Sequence, residues 1–294
     1  MKLNYFRLGS SALLIALAAA CSPLGQQTTP VPSTTRTDAT ATRDANLALG
    51  NPSGAVADAA NYPNNYLLTK SQYTLSYSRD QGKPNWVSWH LSAAWLGSTG
   101  RQDNFATDDA LPSAWYHVSA TSYSGSGFDR GHNCPSADRT GSVADNSATF
   151  LMSNMMPQAP ANNQQTWASL ENYCRTLVAA GNELYIIAGS YGRGGTGTNG
   201  PVSTIDSGRI TVPSNCWKVV VVLPVGTSDA GRITSSTRVI AINTPNTTSL
   251  STSWGSYRTT VDAIENATGY NLLSAVPSTV QSAIESKTDT GPTN

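Results

Sequence analysis

The sequence predicts an α+β domain: a mixed but mainly antiparallel sheet flanked by helices. Three observations predict it. Two segments alternate apolar and polar residues around a short turn, four further runs of strand length are mostly apolar, and one long helical stretch sits among them without regular βαβ alternation.

In chain order, "YTLSYSR" (73–79) and "NWVSWHL" (85–91) flank Asp80–Pro84 and read as a strand pair. "ATFLMSN" (148–154) is the next expected strand. The stretch 163–180 follows as a helix ended by Gly181, with Trp167, Leu170, Cys174, Leu177 and Val178 as its apolar stripe. "NELYIIAG" (182–189), "CWKVVVVLP" (216–224) and "TRVIAIN" (237–243) are apolar enough to require cover on both faces. Two shorter helices close the chain, the second with Ser278 and Gln281 spaced as a capping box after Pro277.

Composition bounds the setting. Only 12% of the 294 residues are charged, against roughly 25% in ordinary soluble domains; Ser, Thr, Asn and Gly fill the polar positions, as is common in exported proteins. Eighteen basic residues balance eighteen acidic ones, so a polyanion would have to be held by a local basic site, not by the field of the whole molecule.

"MKLNYFRLGSSALLIALAAAC" has Lys2 and Arg7, then an apolar stretch too short to span a membrane, which is the layout of a signal peptide over residues 1–20. Cys21 after small residues resembles the bacterial lipoprotein signal, in which that cysteine carries lipid. Leu17 stands one place earlier than that signal's usual leucine, and ordinary cleavage after Ala18 or Ala20 is the alternative. Either way the protein is expected to be exported: anchored at the cell envelope through a lipid on Cys21, its one expected membrane contact, or else periplasmic or secreted.

Residues 21–61 are Thr-, Ala- and Pro-rich, without a large aromatic until Tyr62 nears, and are expected to be a flexible linker. One globular domain is expected over 62–287 and a disordered tail over 288–294. With Cys21 lipidated, Cys134, Cys174 and Cys216 remain, and in an oxidising compartment one pair plus one free thiol is the natural count, with the pairing open. Their isolated spacings exclude a CxxC-type zinc site.

The chemistry gathers around "FDRGHNCPSADRT" (128–140). His90 and His117, beside Trp89 and Trp115–Tyr116, are expected to be packed or surface residues. His132 follows Asp129, Arg130 and Gly131, the last allowing an unusual backbone, and precedes Pro135. On the helix, Asn163, Glu171 and Arg175 fall within an arc of about 120° at helical spacing. A surface Glu171–Arg175 pair would explain two of the three; Asn163 needs another reason. An asparagine amide oxygen is a hard, neutral ligand suited to Mg²⁺. One such asparagine, one basic histidine and several arginines suit the cutting of a phosphodiester.

"FDRGHNCPSADRT" followed by "FLMSNMMPQAPANNQQTWASLENYCRTL" closely resembles the DNA/RNA non-specific endonucleases, the sugar-non-specific ββα-metal (His-Me finger) nucleases. "GRQDNFATDDALP" upstream, "ELYIIAG" after the helix and "TGYNLLSAVPSTVQSAIE" near the end extend the resemblance from about Tyr62 to Lys287. It implies a ββα-metal active-site motif and hydrolysis of DNA and RNA to 5′-phosphate products. It implies His132 as general base and Asn163, four residues before Trp167, as the direct ligand to Mg²⁺, with Mn²⁺ a possible substitute. Glu171 would hold metal-bound water, Arg101 and Arg175 would contact phosphate, and Arg130 would assist them. Asp129 would support the loop. Cys134 departs from the family, where this spot is usually apolar or small, and raises redox sensitivity.

Two other classes compete. A catalytically inactive nucleic-acid-binding or adhesion lipoprotein fits the neutral charge and the tether, yet gives no reason for His132, Asn163 and Glu171 together. A serine or cysteine hydrolase lacks a GxSxG elbow, and Cys134 is awkwardly close to His132. DNA or RNA preference and any inhibitor partner are not legible.

Overall fold

Period-two alternation on the central strands builds a sheet with two apolar faces. The computed structural model describes residues 40–294; the signal peptide, Cys21 and the linker as far as residue 39 lie outside the described residues. β1 (Tyr66–Thr69), β2 (Thr74–Ser78) and β3 (Lys83–Leu91) form a meander. β4 (Asp129–His132) and β5 (Met155–Gln158) make a separate two-stranded hairpin, with helix α1 (Val143–Ala148) in the connection. A π turn over Asn162–Trp167 runs into α2 (Ala168–Ala179), and β6 (Asn182–Tyr191) follows. Short strands β7 (Gly195–Gly197), β8 (Gly200–Val202), β9 (Thr204–Ile205) and β10 (Ile210–Thr211) make two small hairpins. Then come β11 (Asn215–Pro224), α3 (Asp229–Arg232), β12 (Arg238–Pro245), β13 (Arg258–Thr259), α4 (Val261–Thr268) and α5 (Ser278–Glu285).

The main sheet has the order β1-β2-β3-β6-β11-β12-β13, with every neighbouring pair antiparallel. On β6, Leu184, Ile186 and Ala188 enter one core with Trp167, Leu170, Cys174 and Val178 of the π turn and α2. Tyr185 and Ile187 enter the other, with Val261 and Ile264 of α4 and Ile284 of α5. Both faces are thus covered, as the apolar runs require.

Several expectations are corrected. Residues 148–154 are not a strand. Ser142 caps α1 with Oγ accepting the Asp145 N–H at 3.1 Å, Met152–Asn154 forms a 3₁₀ turn, and Asn154 Nδ2 donates to the Cys134 and Thr149 carbonyls at 2.8 and 2.9 Å. Side chain-to-backbone bonds of this kind offer the backbone an alternative to a ladder; the stretch makes a single isolated bridge, Leu151 with Ala106, and the ladder starts at Met155. The capping box at Ser278 is absent: Pro277 occupies the cap position and Gln281 Nε2 donates back to the Val276 carbonyl.

The linker expectation fails for its described part. Leu49 and Ala55 are buried in the second core, Ser88 Oγ donates to the Asn46 carbonyl at 2.6 Å, and Trp86 Nε1 donates to Ser53 Oγ at 2.8 Å. Small apolar residues and polar anchors suffice to dock this segment without an aromatic. The tail expected to be disordered is also tied down: Arg238 pairs with Asp289 at 2.9 Å, and Trp254 Nε1 donates to the Thr293 carbonyl at 3.2 Å. No disulfide joins the remaining cysteines; Cys134, Cys174 and Cys216 are all free, buried and part of one apolar core, where a thiol packs as a small hydrophobe.

Candidate active site

The DRGH segment is a strand. Asp129 pairs with Gln158, Arg130 with Pro157, Gly131 with Met156 and His132 with Met155. Gly131 is needed for closeness, not for unusual backbone: a Cβ there would lie 2.4 Å from Gln158 Oε1 and 2.6 Å from its Cβ. Asn154 holds the chain just past His132, its Oδ1 accepting the Cys134 N–H at 3.0 Å. The hairpin docks on the helix through Trp167, whose Nε1 donates to the His132 carbonyl at 3.3 Å. Two strands and a helix therefore frame the site.

His132 is only 8% exposed. Its ring meets Phe150 edge-on at 5.0 Å and Phe105 at 5.6 Å. Arg101 lies over the Phe150 ring at 4.8 Å and Arg130 over Phe105 at 3.9 Å, contacts that fix two guanidiniums beside the imidazole. Burial, then the charges of Arg101 and Arg130, push the His132 imidazole down to about 3, against a hydrogen bond with the Arg130 backbone that opposes them. The imidazole is therefore neutral at pH 7, and its buried Nε2 has no hydrogen-bond partner among the described residues. A bare ring nitrogen carrying a lone pair is what a proton acceptor needs.

A cleft of about 340 Å³ opens beside it, lined by Arg101, Asp103, Phe105, Asp129, Arg130 and Asn163 among others. Arg101 Nε donates to Asp103 Oδ1 at 2.7 Å and its Nη1 to Ser136 Oγ at 3.0 Å. Asn163 Nδ2 donates to Asp129 Oδ2 at 2.8 Å, and Gln164 Nε2 reaches the same oxygen at 2.9 Å. With its amide nitrogen facing Asp129, Asn163 has Oδ1 turned away from it. The π turn supplies this placement. Its i→i+5 pattern breaks the 100° spacing that would set Asn163 on one flank with Glu171 and Arg175.

Glu171 and Arg175 are not among the cleft-lining residues, and they do not pair with each other. Glu171 Oε1 pairs with the buried Lys218 at 3.1 Å, and burial, partly offset by Lys218, raises its carboxyl. Lys218 Nζ also sits 4.2 Å over the Trp167 ring. Arg175 Nη1 pairs with Asp138 at 2.7 Å, and Asp138 Oδ2 accepts the Trp89 indole N–H at 3.0 Å. These residues brace the helix against the segment after β4 and against the sheet.

Of the sequence-derived set, Arg101, Arg130 and Asn163 line the cleft, His132 is buried against Phe105, which also lines it, and Glu171 and Arg175 are held by Lys218 and Asp138 instead. Sequence reasoning missed the Phe105–Phe150 cage, the Asp129–Asn163 bond and Lys218. Phe105 lay inside the upstream segment "GRQDNFATDDALP", but nothing in that segment says that two phenylalanines meet across 45 residues. His90 and His117 are packed as expected, with Nε2 at 3.2 Å from Glu183 and 3.1 Å from the Pro112 carbonyl. Cys134 is fully buried and its thiol is pushed up to about 12 by burial, so it is inert where redox sensitivity was expected.

Comparison with known proteins points one way. The DNA/RNA non-specific endonuclease family matches residues 52–279. A nuclease of Nostoc sp. is 48% identical over 278 residues, covering 95% of this chain and 96% of its own length. A nuclease of Syncephalastrum racemosum is 30% identical over 239 residues, covering 76% of this chain and 69% of its own. Among solved structures, a chain of the crystal structure of the EndoG/EndoGI complex superposes with a TM-score of 0.63 at 21% identity, covering 79% of this chain and 91% of that one; this likeness is one of fold.

Proposed function

Because the chain belongs to the DNA/RNA non-specific endonuclease family and is a hydrolase of that family, we propose that it cuts phosphodiester bonds of both DNA and RNA in the cleft beside β4, leaving 5′-phosphate ends. One observation carries this reading: a buried, neutral His132 with a bare Nε2, flanked by two guanidiniums held over aromatic rings.

His132 Nε2 takes the proton from the attacking water, a contribution of about 10²–10⁴-fold for a positioned base. Arg101 and Arg130 complement the charge that develops on the phosphoryl oxygens, and their fixed positions avoid reorganisation at the moment of reaction. The same two charges hold the free imidazole down. A phosphodiester anion lying between them offsets their effect, so His132 becomes a stronger base once substrate is seated.

Mg²⁺, with Mn²⁺ as a substitute, fits the donor set. Asn163 Oδ1 is a hard, neutral oxygen whose direction is set by Asp129, and Mg²⁺ accepts few protein ligands while keeping several waters. When bound, the ion supplies Lewis-acid stabilisation of phosphoryl and leaving oxygens. Glu171 has Oε1 on Lys218, and its second oxygen would be the one to hold metal-bound water. Arg175 acts through Asp138 as a positioning residue. Binding through phosphate explains indifference to sequence and to sugar. Export, with lipid on Cys21, belongs to the same proposal and is supported by the sequence of residues 1–21 alone.

The test is incubation of the purified protein with plasmid DNA and with ribosomal RNA, in Mg²⁺ or in EDTA. The expected result is degradation of both substrates only with metal. Retention of full activity in EDTA would overturn the metal role, and cleavage of one substrate alone would overturn sugar indifference.

A further inference from the structure

Among the described residues, two groups of metal-ligating side chains lie outside the active-site cleft, and they differ in one respect. In the first, Asp44, His90, Glu183 and Asp229 converge, but the Arg232 guanidinium already sits among them, pairing with Asp229 at 2.6 Å and with Glu183 as well. The place of a cation is taken.

Among the described residues, the second group has no such partner. Asp262 and Glu265 of α4 and Glu285 of α5 present carboxylate oxygens that all lie within 4.8 Å of one another. The cations nearest in sequence are committed elsewhere: Arg258 Nη1 donates to the Asp289 carbonyl at 2.7 Å, and Lys287 Nζ donates to the Ser235 carbonyl at 3.0 Å. Glu265 has one oxygen on the Leu272 N–H at 2.7 Å. Glu285 is 5% exposed, and its Oε1 is buried without any hydrogen-bond partner among the described residues. It also ends α5, where the helix dipole disfavours a negative charge. A buried carboxylate so placed, facing two others, is expensive unless something positive joins it.

We infer that Asp262, Glu265 and Glu285 form a second divalent-cation site, taking Ca²⁺ and joining α4 to α5 on the sheet face opposite α2. The donor set is hard oxygen only, which selects Ca²⁺ or Mg²⁺ over zinc or copper. Three carboxylates on two helices offer up to six oxygens in an irregular arrangement, which suits the flexible six- to eight-oxygen shell of Ca²⁺, whereas Mg²⁺ demands a near-ideal octahedron and usually keeps several waters with one or two carboxylates. Water completes the shell from the half-buried side, where Asp262 and Glu265 lie. Without an ion the group holds its charge differently: burial, with Glu265 and Asp262 facing it, pushes the Glu285 carboxyl up to about 7.

Thermal unfolding of the purified protein, with Ca²⁺ titrated from EDTA, tests the site. The expected result is a Tm that rises with Ca²⁺ by roughly 5–10 °C at a hundredfold excess over Kd. In Glu285→Gln that rise is lost, while Tm in EDTA is unchanged or higher because a repulsive charge has gone. Asp262→Asn, at a half-exposed position, serves as the second variant. Cleavage of DNA with Mg²⁺ is expected to be equal in wild type and both variants, which separates this site from the catalytic one. No Ca²⁺ response in the wild type would mean that a shared proton alone settles the triad, and would overturn the site. An equal response in wild type and variants would place the ion elsewhere and overturn it too.

Discussion

At the scale of single residues, the proposed chemistry depends on how His132 and Asn163 are held. His132→Ala is expected to lower kcat by at least about 10²-fold, the low end for a positioned base, in single-turnover cleavage. Its pH behaviour is also fixed. An unfolded histidine titrates near 6.5, and His132 in the fold near 3. Between those values the unfolded chain binds more protons, so acidification through this window removes stability. The stability lost by His132→Ala, read from urea midpoints, is therefore expected to be smallest at pH 4.5 and largest at pH 7.5. An equal loss at both would refute the depressed imidazole. Glu285 works in the opposite sense as pH rises from its ordinary 4.5 through about 7, so wild type and variant must be compared at each pH. Asp129→Ala frees the Asn163 amide to rotate. It is expected to raise the Mg²⁺ concentration for half-maximal rate several-fold, with a smaller change at saturating metal.

At the scale of elements, the sequence was legible where period and charge agree, and silent where contacts cross the chain. The strands β2, β3, β6, β11 and β12 carry enough alternating or apolar residues to be recognised. Four residues of DRGH do not, and β4 exists because β5 pairs with it and Gly131 lets Gln158 approach. Residues 148–154 looked like a strand because local side-chain bonds leave no mark on hydrophobic period. The helix was found, but the π turn at its start was not, and with it went the flank shared by Asn163, Glu171 and Arg175. The replacement contacts make their own prediction. Arg175→Ala leaves Asp138, 3% exposed, without its guanidinium, and is expected to cost about 2–4 kcal/mol in urea unfolding. KM for DNA is expected to change little, since Arg175 does not reach the cleft; a large KM effect with full stability would restore it as a phosphate contact.

At the scale of the molecule, zero net charge and two cleft arginines set the response to salt. With about two phosphates neutralised, the logarithm of affinity for double-stranded DNA should fall against the logarithm of salt with a slope near −2. A slope beyond about −5 would require a wider basic surface than the cleft provides. The domain also begins earlier and ends later than aromatic content suggested. Leu49, Ala55 and Asn46 dock before Tyr62, and Asp289 is held by Arg238 after Lys287. Composition marks where bulky residues start, whereas a few well-placed small ones decide where packing starts. In the proposed mechanism, His132 moves the proton and Asn163 holds the metal. The most direct test is the single-turnover cleavage rate against Mg²⁺ concentration for wild type, His132→Ala and Asn163→Ala. A reduced plateau at an unchanged half-saturation is expected for His132→Ala, and a shifted half-saturation for Asn163→Ala. An unshifted Mg²⁺ dependence in Asn163→Ala, or an intact plateau in His132→Ala, would contradict it.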